Sequence, residues 1–281
     1  MTKIPPSENF DLNSWYLGVP IDLNNDKKSD SIYETELNNG YELEDYFYTH
    51  PIDGGLVFRV PVDAPKTSNG TSYTRTELRG MLRQGNKNIS TKGVNKNNWV
   101  FSSAPTSEQT KAGGVDGVLE ATLAVNYVTR TGSNSQVGRV IIGQIHANDD
   151  EPVRIYYRKL PGNNKGSIYF AHEPRTGSEQ WYELIGSKSS SASDPSDGIA
   201  LNEKFSYKID VKGNSLTVSI ARPGKSTLSR KIDMSNSGFD ESGQYMYFKA
   251  GVYNQNNTGN SSDYVQATFY SLKASHTGYA Y

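Results

Sequence analysis

The chain has 281 residues, 35% of them hydrophobic, with 19 Tyr against 9 Phe, no Cys and a formal net charge of −1. Plentiful aromatics with so little net charge exclude a disordered chain, and the missing Cys excludes disulfide and thiol chemistry. The near-neutral balance excludes a general nucleic-acid binder, so any anionic ligand needs a local basic patch.

The opening residues MTKIPPSENF lack the apolar core of a signal peptide, and no apolar run is long enough for a membrane-spanning helix. A short helix is expected within 5–14, and 41–48 fits either helix or strand. From there period-two patterning takes over. Strands are expected at LVFRVPV (56–62), SYTRTELRGML (72–82), VLEATLAVNYV (118–128), GRVIIGQIH (138–146), RIYYRKL (154–160) and SIYFAH (167–172). Further strands follow at KFSYKIDVK (204–212), SLTVSIA (215–221), YMYFKAGVYNQ (245–255) and YVQATFYSLKAS (264–275). Turn clusters such as PGNNKG and RPGKS separate them. The biased stretch GSKSSSASDPSDG (186–198) reads as an exposed loop, mobile or lining a cleft, because strands of similar composition continue on both sides. No repeat of 20–50 residues is visible. Many strands in one chain of this length predict an all-β fold, a sandwich or jelly roll of two packed antiparallel sheets forming a single domain over 1–281. Such sheets curve, and a concave face can hold an extended chain.

Three of the strands have an unusual face. Alternate side chains of a strand point to opposite sides, so Tyr73, Arg75, Glu77 and Arg79 share one side. A solvated edge with an ion pair accounts for that pattern. A grip on sugar acids is the sharper reading, because guanidinium is a planar fork suited to carboxylates. In GRVIIGQIH, parity puts Val140, Ile142, Gln144 and His146 on one face and Arg139, Ile141, Gly143 and Ile145 on the other. A His near a strand end is commonly structural; Gln144 on the same side favours a site. In YMYFKAGVYNQ, Tyr245, Tyr247, Lys249, Gly251, Tyr253 and Gln255 share a face, and Gly251 is expected to leave room for another group near the backbone.

This inventory selects among chemistries. Glycoside hydrolysis usually takes two carboxylates across the bond. The face offers one, Glu77, with Arg75 and Arg79 on either side along the strand, which makes it a poor acid. The histidines are scattered at 50, 146, 172 and 276 without HExxH spacing, and Asp149, Asp150 and Glu151 read as a solvated turn. No GxSxG, phosphate loop or dinucleotide fingerprint is present. Tyr, His, Gln and Arg together suit β-elimination of a uronic-acid chain. There Arg, Gln and His hold the charge that develops on the carboxylate when the C5 proton leaves, and Tyr moves protons if nearby cations lower its pKa.

In this order, RTELR (75–79), QIH (144–146) and YFKAGVYNQ (247–255) resemble the three sequence blocks of the polysaccharide lyase family 7 alginate lyases, and NFDLNSWYLGVP (9–20) resembles that family's opening segment. The likeness spans nearly the whole chain. It implies a β-jelly roll with a concave cleft and eliminative cleavage of alginate, a polymer of mannuronate and guluronate, with no cofactor and no metal. It makes Tyr253 the acid, and for mannuronate also the base. His146 becomes the base for guluronate and a neutraliser of the carboxylate, with Gln144 and Arg75 completing the neutralisation. Arg79, Glu77, Tyr247, Lys249 and Gln255 are expected to line subsites. Ile145 within QIH is associated in that family with acceptance of guluronate-containing blocks. An endo-acting monomer is expected, bound to alginate and to neither nucleic acid nor membrane, with a secreted or periplasmic location and the signal removed. A non-catalytic polyuronate-binding module, a glycoside hydrolase of concanavalin-like fold, and a lyase on another polyuronate such as glucuronan remain as rivals.

Overall fold

The structure, a computed structural model, describes residues 3–279. In chain order its strands begin with β1 Trp15–Gly18, β2 Ser31–Ile32, β3 Phe47–Thr49, β4 Leu56–Pro61, β5 Arg75–Gly80, β6 Trp99–Val100, β7 Gly114–Tyr127 and β8 Arg139–His146. They continue with β9 Val153–Arg158, β10 Lys165–His172, β11 Gln180–Ile185, β12 Ile199–Ala200, β13 Phe205–Lys212, β14 Ser215–Ala221, β15 Leu228–Asp233, β16 Tyr247–Asn254 and β17 Tyr264–Thr277. All ten strands expected from the sequence are present. The helix expected within 5–14 is the single turn Pro6–Asn9, and two further short helices cover Glu34–Leu37 and Thr106–Lys111. The ambiguous 41–48 stretch turns into β3, with Leu43 bridged to Phe47.

The strands form two sheets. One has the order β2-β1-β5-β16-β8-β9-β10-β11, with β12 attached to β10; the other runs β3-β4-β17-β7-β13-β14-β15, with β6 on β7. Every pairing is antiparallel except β6 with β7. Apolar residues of both inner faces meet in one core that includes Leu17, Phe58, Leu78, Leu123, Ile145, Tyr207, Phe248, Val252 and Phe269. Burying each such side chain contributes about 1.5–3 kcal/mol. The opposite face of the first sheet is the concave one, as in a jelly roll.

The parity expected for β8 breaks within the strand. Its pairing with β9 shifts register between Ile141 and Gly143. Val140 and Ile142 lie in the core between the sheets, whereas Ile141 belongs to a separate cluster with Tyr156, Tyr169 and Ala171 on the cleft side. Gly143 also faces the core: a Cβ there would stand 2.6 Å from the Tyr207 ring, whose hydroxyl donates to the Ile142 carbonyl at 2.9 Å. Two consecutive residues thus face inward, which is a β-bulge. Arg139 and Ile141 therefore share the cleft face with Gln144 and His146, contrary to simple alternation.

The 186–198 loop is largely exposed and held at several points. Arg158 donates to the Lys188 carbonyl at 3.3 Å and the Ser190 hydroxyl at 3.2 Å. Asp194 accepts the backbone N–H groups of Asn164 and Lys165 at 3.0 Å each. No helix among the described residues is long and apolar enough to cross a membrane.

Candidate active site

Strands β5, β16 and β8 lie side by side, so the three residue blocks become three neighbouring rows. Lys249 stands opposite Arg79 on one side and Gln144 on the other; Tyr253 stands opposite Arg75; Tyr247 stands opposite His146. Gly251 pairs with Glu77. It adopts φ 140°, and a Cβ there would meet the Thr76 carbonyl at 2.7 Å. Glycine is therefore required by the backbone itself, not as an opening for ligand.

Glu77 is the centre of the arrangement. It is 2% exposed, and its carboxylate accepts from Lys249 Nζ at 2.8 Å, Arg75 Nη1 at 3.1 Å and Gln144 Nε2 at 2.8 Å. Burial alone would raise its pKa, but Lys249 and Arg75 overcome that and hold the carboxyl ionised. The expected second arginine partner is absent: Arg79 turns away to the Gly80 carbonyl, the Asn98 side chain and the Thr91 carbonyl at 2.8, 2.9 and 2.7 Å. Lys249 takes its place. Burial, with Arg75 nearby, pulls the Lys249 ammonium down to about 8. Two cations against one carboxylate leave this patch positive, in a chain whose net charge is only −1.

His146 lies beside that patch. Its Nδ1 is 2.5 Å from the Ala147 carbonyl oxygen, which can only accept, so Nδ1 carries the hydrogen and Nε2 keeps its lone pair. Burial and the Lys249 charge hold the imidazole down to about 4, so it is neutral across the physiological range. Its ring stacks on Tyr247 at 5.0 Å and 7°, and the Arg79 guanidinium lies 3.7 Å from the Tyr247 ring centre. Arg79 is 4% exposed and braces this stack from behind.

Tyr253 has the Arg75 guanidinium 3.7 Å from its ring centre and Tyr73 edge-on at 6.3 Å. The sequence suggested that cations would lower its pKa. Arg75 does pull in that direction, but burial is larger and the net shift is upward. The resting phenol is protonated, the form a general acid needs. Arg75 Nε is buried without a hydrogen-bond partner, in keeping with a guanidinium not fully used by the protein. Gln255 sits apart from this centre, its amide donating to the Asn254 carbonyl at 3.0 Å.

Alternation did not reveal every group. Tyr16 on β1 pairs with Arg79 and is held protonated by burial; its only sequence signal was its place in the 9–20 segment. Glu151 departs from the solvated turn expected of Asp149–Glu151. Its Oε1 is 3.7 Å from His146 Nε2, and its Oε2 is 3.3 Å from Arg154 Nη1, which also holds Glu173 at 3.0 Å. Arg154 also pairs with Glu179. Burial and the bond to Glu173 push Glu151 up to about 8. Glu77 is thus ionised and Glu151 protonated, a pair of carboxyl states that hydrolases use. Glu77, however, is enclosed, with its oxygens committed to three donors, and cannot reach a sugar.

A concave antiparallel sheet with a neutral imidazole, a protonated phenol and a cation-rich floor has the form of a polysaccharide lyase. Known proteins agree. The sequence model of the alginate lyase family matches residues 10–276. An alginate lyase of Klebsiella pneumoniae is 59% identical over 280 residues, covering 96% of this chain and 91% of its own. The crystal structure of the alginate lyase from that organism superposes with a TM-score of 0.95 at 58% identity, covering 97% of this chain and 98% of its own. Alginate lyase PA1167 from Pseudomonas aeruginosa superposes with a TM-score of 0.67 at 30% identity, covering 95% and 100%. The chain belongs to the alginate lyase family. The likeness to polysaccharide lyase family 7 extends to the fold of alginate lyase A1-II', a member of that family, at a TM-score of 0.67 and 24% identity over 97% of this chain and 98% of the other.

Proposed function

We propose that this chain cleaves alginate by β-elimination, with His146 and Tyr253 moving the protons. The observation that carries this reading is the fixed tautomer of His146: Nδ1 donates to Ala147, leaving a neutral Nε2 free to accept a proton. In guluronate the C5 proton and O4 lie on opposite sides of the ring. Nε2 takes the C5 proton, the electron pair forms the C4–C5 double bond, the C4–O4 bond breaks, and the Tyr253 hydroxyl protonates O4. In mannuronate both lie on one side, and Tyr253 serves as base and then acid. Its phenol must first release its proton to solvent, and the Arg75 charge over the ring lowers that cost. The substrate carboxylate, which gains charge as C5 deprotonates, is held by Arg75 and Gln144, joined on guluronate by the His146 imidazolium that forms as Nε2 takes the proton. One preorganised donor of this kind contributes roughly 2.7–4 kcal/mol in other enzymes.

Lys249 and Glu77 set the position and charge of Arg75 and Gln144, while Tyr247 and Arg79 fix the plane of His146. Gln255 lines a flanking subsite. Ile145 is fully buried between the sheets, so its link with guluronate acceptance works through packing behind Gln144 and His146. Endo action is supported by the length of the polar face, which crosses from Tyr16 on β1 to Arg154 on β9 at about 4.8 Å per strand. The protein acts as a monomeric, secreted or periplasmic single-domain enzyme without metal or organic cofactor.

Incubation with alginate, pectate and glucuronan, followed by near-ultraviolet absorbance, tests the reading. An unsaturated uronate should accumulate on alginate, with oligosaccharides of intermediate length appearing first. Equal or faster accumulation on glucuronan would move the substrate, binding without absorbance would leave a binding module, and reducing ends without absorbance would indicate hydrolysis.

A further inference from the structure

The cleft floor changes character away from the reacting centre. Tyr253 pairs with Ile141, Ile141 with Tyr156, and Tyr156 with Tyr169, which makes a straight row across four strands. Tyr156 and Tyr169 stack at 5.0 Å and 12°. On the edge strand β11, Trp181 leans on both, at 5.4 Å and 5.9 Å. Those two tyrosines are buried, whereas Trp181 is half-exposed. The indole therefore has a rigid aromatic bed beneath it and an accessible face above.

That face is visited by one cation. Lys188 Nζ lies 5.0 Å from the Trp181 ring centre. Its backbone is fixed on both sides: the N–H donates to Glu183 Oε2 at 2.7 Å, and the carbonyl accepts from Arg158 Nη1 at 3.3 Å. Arg158 is itself 4% exposed, so the 186–198 loop is bound to the buried floor at the point where Lys188 emerges. Among the described residues no carboxylate pairs with the Lys188 ammonium. Its main chain is ordered while its charge remains available.

We propose that Trp181 and Lys188 form a distal subsite of the cleft that takes one uronate residue of the polymer, the sugar ring lying on the indole and its carboxylate meeting the ammonium. The inference rests on the polyuronate reading above and names a place where the chain is gripped far from the chemistry. From Tyr253 on β16 to Trp181 on β11 is four strand spacings, about 19 Å, so only oligomers long enough to bridge that distance feel it. An aromatic platform already packed from below loses little freedom on binding, and a cation is needed because the net charge of the chain gives no general attraction to a polyanion.

Lys188→Gln and Trp181→Ala test this on the full chain. Lys188→Gln should raise KM for long oligouronates about two- to fivefold, the range of an exposed ion pair, with kcat kept. Trp181→Ala should raise it up to about tenfold and shift the product lengths, while Trp181→Phe restores most of the affinity. Oligomers too short to reach from Tyr253 to Trp181 should show no such change. Equal effects on short and long substrates, or none on either, would overturn the subsite. Lys188 is exposed, so its replacement keeps the fold if Trp181→Ala does not. Calorimetric titration with long oligouronates reads the subsite without catalysis: weaker binding by Lys188→Gln supports it even if no elimination occurs, and unchanged binding refutes it.

Discussion

At the scale of residues, burial sets protonation states that the bare residue types do not show. An ordinary His titrates near 6.5; burial and Lys249 take His146 to about 4. Because the proposed base, His146, must be neutral to accept a proton, kcat/KM should hold from neutral pH down to about 5 and fall only as the imidazole protonates near 4. A fall centred near 6.5 would mean that the imidazole is not desolvated as described. On the alkaline side two groups change together near 8. Lys249 loses its positive charge and Glu151 gains a negative one. Both changes make the cleft less attractive to a polyanion as pH rises, so KM should climb through that range. Glu151→Gln, fixed in the neutral form, should make the climb shallower; an inactive Glu151→Gln would show that the anion is the working form. Tyr253→Phe removes only the hydroxyl and should lower kcat by roughly 100-fold or more while oligosaccharide binding persists. Activity within a few-fold of the parent would remove Tyr253 from proton transfer.

At the scale of elements, alternation located Arg75, Glu77, Lys249 and Tyr253 on one face, and the three rows assemble as the patterning implied. It failed where a strand inserts an extra residue. The bulge at Ile142–Gly143 changes which side Arg139 and Ile141 occupy, and its only trace in the sequence is a glycine within an apolar run. Strands such as β11, with mixed polarity, and β15, with a mostly exposed face, carry little periodic signal because they lie at sheet edges. Glu151 reads as a solvated turn residue and Trp181 carries no signal for a related reason: a loop carboxylate and an edge tryptophan acquire their places only from long-range packing. Gly251 tests how far element geometry governs the site. Gly251→Ala places a Cβ 2.7 Å from the Thr76 carbonyl at φ 140° and should destabilise the fold by ~1–3 kcal/mol. A melting temperature equal to that of the parent would show that β16 adjusts freely.

At the scale of the whole molecule, a jelly roll of two sheets supplies a rigid concave surface across which positive charge is concentrated locally. With a net charge of −1, attraction to a polyuronate depends on this patch, and exposed charges are screened beyond about 8 Å at physiological salt. KM for short alginate oligomers should therefore rise as salt approaches molar concentration, with kcat less affected; a KM indifferent to salt would argue against electrostatic capture. The division of labour between His146 and Tyr253 is the central claim, and kcat/KM of His146→Asn on purified mannuronate and guluronate blocks, each against the parent, tests it most directly. The loss should be larger on guluronate, where the far-side base disappears, and smaller but present on mannuronate, where only the ring stacked on Tyr247 beside the reacting centre is lost. Equal losses on both, or a larger loss on mannuronate, would contradict it.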